Sequence, residues 1–285
     1  MGLRCPSTVP AMPTEQFTLP DGTVLSYTDI GNGRPIVLLH GVCMSRIFFE
    51  RNVDALADRH RVIAVDFRSH GDSPRGEGGH TVAQYARDVR ALMEHLDLTG
   101  VTLAGWSMGS LVIWDYQRQF GPERLAGVVV ISQGPSDLTQ PGWPNGIADL
   151  EELHGFVSAA QADFRGFFAG FVPEMMAEKP SDQDRDRFVD AVCKVGANAG
   201  ALILLDQTLQ DYRADLPGFT VPHLLIWGRD EKIIKLASGE WLRAHLPDAE
   251  YVVFEHSGHC PMWEEPDRFN MLLADWVGRH EDPAA

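Results

Sequence analysis

The stretch Val101-Thr102-Leu103-Ala104-Gly105-Trp106-Ser107-Met108-Gly109-Ser110 decides the fold. It begins as an apolar, β-prone run and ends as the start of an amphipathic helical pattern. Between the two lies Gly-x-Ser-x-Gly, in which glycines two residues on either side of the serine remove Cβ atoms from a very tight turn. The pattern predicts a serine hydroxyl above a strand end, at a helix N-terminus whose partial positive charge favours a developing anion. Taken alone, the pattern is also compatible with a plain glycine-rich turn.

Strands and helices alternate on both sides of this stretch. Continuous apolar runs of the kind expected in a parallel sheet occur at residues 35–41, 61–67, 101–106, 125–131, 223–227 and 251–254, and two shorter β-prone runs precede them at 16–19 and 24–28. Helical spacing is present at 48–59, 82–96, 110–120, 236–246 and 267–277. This alternation predicts right-handed βαβ crossovers and an α/β fold with a mostly parallel, eight-stranded sheet.

The alternation is interrupted after the sixth strand. From about residue 133 to residue 219 there is no buried-strand run, and the segments are helix-like and rich in Phe and Met. We therefore predict a loose N-terminal arm at residues 1–14, an α/β core at 15–133 and 220–285, and a helical cap at 134–219.

Composition excludes several classes of function. The chain has 285 residues and a formal net charge of −16, which disfavours binding to nucleic acid or to an anionic membrane surface. No apolar run approaches the length of a membrane span, and the first residues contain no secretory signal, so we expect a cytoplasmic protein. The four cysteines are scattered and indicate neither a disulfide framework nor a zinc site, namely Cys5, Cys43, Cys193 and Cys260. The oligomeric state stays open, with a homodimer as one candidate arrangement.

If Ser107 is a nucleophile, it needs a base, an acid that orients the base, and donors for an oxyanion. His259, in Ser-Gly-His-Cys-Pro after the last strand, is the candidate base. Asp230 and Glu231 follow the preceding strand and compete for the role of the acid, in the chain order Ser, acid, His. The oxyanion donors would be the backbone N–H groups of Met108 and Val42.

These segments together resemble the α/β-hydrolase superfamily, in its branch with esterases, cofactor-free haloperoxidases (perhydrolases) and carbon–carbon bond hydrolases. The resemblance covers residues 16–279, and the segments that carry it are Leu39-His40-Gly41, Asp66-Phe67-Arg68-Ser69-His70-Gly71-Asp72-Ser73, Gly105-Trp106-Ser107-Met108-Gly109, Trp227-Gly228-Arg229-Asp230-Glu231 and Ser257-Gly258-His259-Cys260-Pro261. In this family the acid is the fourth residue of a G-x-x-D pattern. That position is Glu231 here, so the resemblance implies a Ser-His-Glu triad, with Asp230 as the alternative acid.

The predicted function is hydrolysis of a small-to-medium hydrophobic carboxylic ester, thioester or lactone through an acyl-enzyme. The predicted substrate contacts are His40, Gly41, Trp106, Phe168 and Phe171, the last two from a Phe-rich roof that implies an apolar pocket and a small hydrophobic acyl substrate. No phosphate-binding loop, dinucleotide fingerprint or metal cluster is present, so no cofactor and no metal are expected. The alternatives are a carbon–carbon bond hydrolase or perhydrolase of the same fold, and a ligand receptor with low turnover.

Overall fold

The computed structural model describes residues 12–280, in which eight strands form one sheet. The strands in chain order are β1 (Glu15–Thr18), β2 (Val24–Ile30), β3 (Pro35–Leu39), β4 (Arg61–Asp66), β5 (Val101–Trp106), β6 (Leu125–Ile131), β7 (His223–Gly228) and β8 (Ala249–Phe254). Across the sheet they lie in the order β1-β2-β4-β3-β5-β6-β7-β8.

The sheet is mostly parallel. β1 pairs antiparallel with β2, and β2 pairs antiparallel with β4. Every other neighbouring pair is parallel. All residues of β5, β6 and β7 are buried, as expected of central strands that are covered on both faces. The predicted α/β architecture with eight strands is confirmed.

The helices in chain order are α1 (Val53–Ala57), α2 (Val82–His95), α3 (Met108–Phe120), α4 (Leu150–Ala162), α5 (Phe164–Glu174), α6 (Asp182–Cys193), α7 (Ala197–Thr208), α8 (Leu236–His245), α9 (Pro261–Glu264) and α10 (Pro266–Arg279). Short 3₁₀ turns lie at Arg46–Phe49 and Leu216–Gly218. α2 packs against α3, and α8 packs against β7 and β8.

Helices α4 to α7 occupy the chain between β6 and β7. α4 begins in a capping box, in which Asp149 accepts from the N–H of Glu152 and Glu152 accepts from the N–H of Asp149. α4 packs against α7, and α5 packs against α6. A helical insertion after the sixth strand is therefore confirmed, and the boundaries given above for the core and the cap stay a prediction.

The helix predicted at residues 48–59 is broken in the structure. A 3₁₀ turn at Arg46–Phe49 is followed by the short helix α1, which begins after Asn52. The side-chain amide of Asn52 donates to Met262 O at 2.9 Å and to Asn270 Oδ1 at 2.8 Å. These two buried hydrogen bonds attach the break to the C-terminal part of the chain, and helical spacing alone does not reveal such tertiary contacts.

The predicted arm at residues 1–14 lies for the most part outside the described residues, which begin at residue 12. Its last two residues are attached to the core. Thr28 Oγ1 donates to Pro13 O at 2.7 Å, and Arg46 donates to Thr14 Oγ1 at 2.6 Å. Pro13 and Thr14 therefore contact the core, and the bounds of the arm at residues 1–14 stay a prediction.

Candidate active site

The turn between β5 and α3 is built around Ser107. This residue has φ 52° and ψ −125°, a conformation that residues with a side chain rarely adopt. A Cβ on Gly105 would lie 2.4 Å from the carbonyl carbon of Gly109, and a Cβ on Gly109 would lie 2.3 Å from Leu39 O. Backbone atoms thus exclude a side chain at both positions, which is the steric reason for the Gly-x-Ser-x-Gly pattern.

His259 lies in the loop after β8, and its peptide group is held from two sides. Its N–H donates to Met175 O at 2.7 Å, just after α5. Its carbonyl oxygen accepts from the indole N–H of Trp106 at 2.8 Å, next to Ser107. The backbone of His259 is therefore fixed by the helical insertion and by the residue before the serine.

The structure places Glu231, rather than Asp230, against His259. Glu231 Oε2 lies 2.8 Å from His259 Nδ1, and both side chains are buried. Glu231 Oε1 accepts from the N–H groups of Ile233 and Ile234 at 2.8 and 3.2 Å. Asp230, by contrast, is exposed.

The surroundings of Glu231 favour its ionised form. Burial alone would raise the pKa of this carboxyl group. The charge of a protonated His259 ring, the hydrogen bond to that ring and the two backbone N–H groups outweigh burial, and the pKa lies below its ordinary value. Glu231 is therefore an acceptor only, and His259 presents Nδ1–H to it.

Two backbone N–H groups lie beside the serine without a local acceptor. Met108 is the first residue of α3, so its N–H has no partner within the helix. Val42 lies in a turn that is closed by the N–H of Met44 donating to Gly41 O at 3.1 Å. In the described part of the chain, no backbone carbonyl or side chain accepts from the N–H of Val42.

Ser107 and His259 line one cavity of about 260 Å³. Predicted site residues on its wall also include Val42, Phe168 and Phe171. The rest of the wall is mainly apolar and consists of Ile147, Leu153, Phe156, Phe167, Leu204, Ile233 and Ile234, together with Asp137, Gln207 and Thr208. The cavity lies between the strand ends and the inserted helices, because α4, α5 and α7 all contribute to its wall.

His40 does not line the cavity, contrary to the prediction that it contacts substrate. It is fully buried, with Nδ1–H donating to Gly41 O at 2.8 Å and Nε2 accepting from the N–H of Phe67 at 3.2 Å. Burial and the neighbouring His70 hold the pKa of His40 well below its ordinary value, so the ring is neutral. His40 joins the ends of β3 and β4 behind the site.

Gly41 and Trp106 are also absent from the cavity wall, so their predicted contact with substrate is not found. A Cβ on Gly41 would lie 3.2 Å from Ser107 Cβ and 3.3 Å from the Trp106 ring, so the bare backbone of Gly41 packs under the serine. Trp106 is buried and uses its N–H on His259 O. Both residues support the serine and the histidine from behind.

The wall also has three polar residues that the sequence motifs do not predict, Asp137, Gln207 and Thr208. Asp137 is buried, and its carboxylate accepts from Gln133 Nε2 at 2.6 Å and from Gln207 Nε2 at 3.4 Å. Burial raises the pKa of Asp137 to about 7, against the opposing effects of the Gln133 hydrogen bond and of His259. Asp137 follows β6, so the rule that ligands bind at strand ends could have identified it.

Among residues 12–280, no group of three or more His, Cys, Asp or Glu side chains is arranged to hold a metal ion. No single helix in this range is long and apolar enough to cross a membrane, and α6 and α7 reach such a length only as a pair bent by 91°.

Comparison with known proteins places this geometry in a family. A family model described as alpha/beta hydrolase fold matches residues 34–266. A putative non-heme chloroperoxidase from Synechocystis is 30% identical over 263 residues, covering 88% of this chain and 94% of the relative. A 2-hydroxy-6-oxononadienedioate/2-hydroxy-6-oxononatrienedioate hydrolase from Paraburkholderia phymatum is 30% identical over 275 residues, covering 89% and 90%.

Solved structures agree with the sequence relatives. The structure of an esterase from Exiguobacterium antarcticum superposes with a TM-score of 0.88 at 25% identity, covering 92% of this chain and 98% of the esterase. The matched family model spans strands β3 to β8 and the helices inserted between β6 and β7. The chain therefore belongs to the α/β-hydrolase fold family.

Proposed function

We propose that this chain is a serine hydrolase that cleaves a small-to-medium hydrophobic carboxylic ester, thioester or lactone through an acyl-enzyme. The observation that carries the proposal is that Ser107 and His259 share one apolar cavity while His259 Nδ1 lies 2.8 Å from the buried carboxylate of Glu231. The similarity to an esterase structure supports the same reaction class.

In the proposed mechanism, Ser107 Oγ attacks the acyl carbonyl carbon and His259 accepts the hydroxyl proton. Glu231 holds the ring with Nδ1–H toward itself and stabilises the imidazolium that forms. His259 then donates the proton to the leaving alcohol or thiol. A water molecule, deprotonated by His259, attacks the acyl-enzyme and releases the acid.

The N–H groups of Val42 and Met108 are the proposed donors to the oxyanion. Both lack a local acceptor, so the tetrahedral intermediate would satisfy them without breaking an existing hydrogen bond. The N-terminus of α3 adds a favourable field for negative charge at the same place.

The cavity wall supports a small, uncharged acyl group. Its volume of about 260 Å³ is below the roughly 300–1,000 Å³ typical of pockets for drug-sized ligands. Phenylalanine, leucine and isoleucine make up most of the wall, and no lysine or arginine is among its residues in the described chain. A dicarboxylate such as the one in the name of the Paraburkholderia relative would therefore lack a cationic partner, and this argues against the carbon–carbon hydrolase alternative.

Perhydrolysis stays a second candidate, because the Synechocystis relative is named a putative non-heme chloroperoxidase. It would use the same acyl-enzyme, with hydrogen peroxide in place of water as the acceptor of the acyl group. The ratio of peracid to acid formed from one ester in the presence of peroxide distinguishes the two reactions.

The experiment that tests the proposal is an assay of p-nitrophenyl esters with acyl chains of two to twelve carbons, with Ser107→Ala as the control. We expect turnover by the wild type that is greatest for a short or medium chain, and a loss of turnover of several orders of magnitude in Ser107→Ala. Tight binding of an ester with little turnover would instead support the receptor alternative.

A further inference from the structure

The cavity has one polar corner in an otherwise apolar wall. Asp137 stands after β6, and Gln207 lies on α7 with Thr208 beside it. The hydroxyl of Thr208 already donates to Leu204 O at 2.8 Å, within the helix. The hydrogen-bonding capacity that remains at this corner belongs mainly to Asp137 and Gln207.

The two side chains leave one acceptor unused. The side-chain amide of Gln207 donates to Asp137 Oδ2 at 3.4 Å, whereas Gln207 Oε1 is buried without any hydrogen-bond partner. Gln207 as a whole is only 4% exposed. Most buried polar atoms in folded proteins have a partner, and Gln207 is one of the residues that line the cavity. Its unpartnered amide oxygen is therefore an acceptor that a donor on the substrate would satisfy.

Starting from the proposed esterase function, we infer that the Asp137–Gln207 corner binds a hydroxyl group carried by the substrate. The preferred substrate is then the ester of a hydroxylated acid, or another ester whose hydroxyl group reaches the same corner. The hydroxyl hydrogen would bond to Gln207 Oε1. The hydroxyl oxygen would accept from the carboxyl group of Asp137.

The chemistry of a hydroxyl fits both partners. Burial raises the pKa of Asp137 to about 7, so a large part of this group carries a proton at neutral pH and can donate it in a hydrogen bond. A methyl group at this corner would leave Gln207 Oε1 unpaired. A substrate carboxylate would meet the negative charge that Asp137 acquires when it ionises, with no cation on the wall to offset it.

A set of matched methyl esters tests the inference. The set comprises methyl hexanoate, its 2-, 3- and 6-hydroxy derivatives, methyl 6-aminohexanoate and monomethyl adipate, and kcat/KM is measured for each by titration of the released acid. We expect at least one hydroxy ester to exceed methyl hexanoate by tenfold or more, because a site built to bond a hydroxyl discriminates strongly against its absence. The carboxylate ester should be the poorest substrate.

Gln207→Leu removes the orphaned oxygen while keeping a side chain of similar size. We expect the ratio of kcat/KM for the best hydroxy ester to that for methyl hexanoate to fall to about one in this variant, whatever happens to either value alone. Gln210→Leu is the matched control, since Gln210 follows the same helix, is absent from the cavity wall and donates to Asp206 O. Its ratio should equal that of the wild type.

A binding measurement keeps the inference testable without turnover. The same esters are titrated calorimetrically into Ser107→Ala, and the hydroxy ester should bind at least tenfold more tightly than methyl hexanoate. Binding with this preference but no turnover in the wild type would refute the proposed hydrolysis and support the hydroxyl site. Hydrolysis without any hydroxyl preference, a preference that survives Gln207→Leu, or a preference for the amino ester would overturn the hydroxyl site alone.

Discussion

The carboxylate of Glu231 lies between His259 and a backbone turn, with Oε2 2.8 Å from His259 Nδ1 and Oε1 accepting from the N–H groups of Ile233 and Ile234. Both oxygens are engaged, so the carboxylate is held in one orientation. An ionised carboxylate accepts only, so the neutral histidine carries its proton on Nδ1 and leaves Nε2 as the basic nitrogen. That tautomer is the one required by the proposed role of His259 as a general base.

Glu231→Gln should lower kcat/KM by about 10⁴-fold, by analogy with the loss of a triad carboxylate in other serine enzymes. The amide oxygen would be kept by the N–H groups of Ile233 and Ile234, so the NH₂ group would face His259 and force its proton onto the wrong nitrogen. Asp230→Asn, at the exposed neighbouring position, should leave kcat/KM within about twofold. Steady-state kinetics on one p-nitrophenyl ester measure both variants, and a collapse in Asp230→Asn alone would assign the acid to Asp230.

Val42→Pro should lower kcat by about 10²- to 10³-fold, because it removes one of the two proposed oxyanion donors. Val42 is the second residue of the Gly41–Met44 turn, a position that accepts proline, and Cys43 has φ 58° as the third residue of that turn. Val42→Ala keeps the N–H and is the control. Equal activity of the proline and alanine variants, with unchanged circular dichroism, would exclude Val42 as a donor.

Phe171→Ala should shift the acyl preference toward longer chains. Phe171 lines the cavity and packs against the rings of Phe167 and Phe168, with centroids 6.4 and 6.1 Å away. Removing its ring makes room for further methylenes, each of which contributes about 0.8 kcal/mol when buried. We expect the ratio of kcat/KM for octanoate to that for butanoate to rise about tenfold, whereas Phe17→Ala, which is outside the cavity, should not change it.

The substitution Asp137→Asn should raise the free energy of unfolding relative to the wild type by an amount that grows as the pH rises. The raised pKa of about 7 means that the folded protein keeps a proton on Asp137 that the unfolded chain releases near pH 4, so the wild type loses free energy of unfolding between about pH 4 and pH 7. Asparagine has no such titration. Denaturant unfolding at pH 5 and pH 8 measures the free energy of unfolding of both proteins. From pH 5 to pH 8, the free energy of unfolding of the variant should rise relative to that of the wild type by a few kcal/mol. No change in that difference with pH would contradict a buried, protonated Asp137.

The central strands and the turn at Ser107 can be predicted from the sequence, because each imposes a strict requirement on residue type. Strands buried on both faces, such as β5 and β6, require continuous apolar runs, and the turn at Ser107 excludes side chains at Gly105 and Gly109. Parallel strands end at the same edge of the sheet, and this rule predicts that Glu231 and His259 lie close together. The choice between Glu231 and Asp230 rested on resemblance alone, since adjacent residues differ in direction rather than in spacing.

Other parts of the site depend on tertiary contacts that no local pattern contains. His40 follows a strand end, as a site residue would, yet both its ring nitrogens are occupied by backbone groups of Gly41 and Phe67. Gln207 lies near the C-terminal end of α7, next to Asp206 and Thr208, and the spacing of these polar residues does not show which of them faces the cavity. The contact of Gln207 with Asp137 appears only in the folded structure. The packing of the inserted helices likewise determines which of the Phe residues between β6 and β7 face the cavity.

Covalent labelling tests most directly whether Ser107 acts as a nucleophile. The protein is incubated with a fluorophosphonate, and intact-mass and peptide mass spectrometry locate the adduct. We predict a single phosphonyl adduct on Ser107 in the wild type, much slower labelling in Glu231→Gln, and none in Ser107→Ala. An unlabelled wild-type protein that is folded, or equal labelling of Ser107→Ala, would contradict the account.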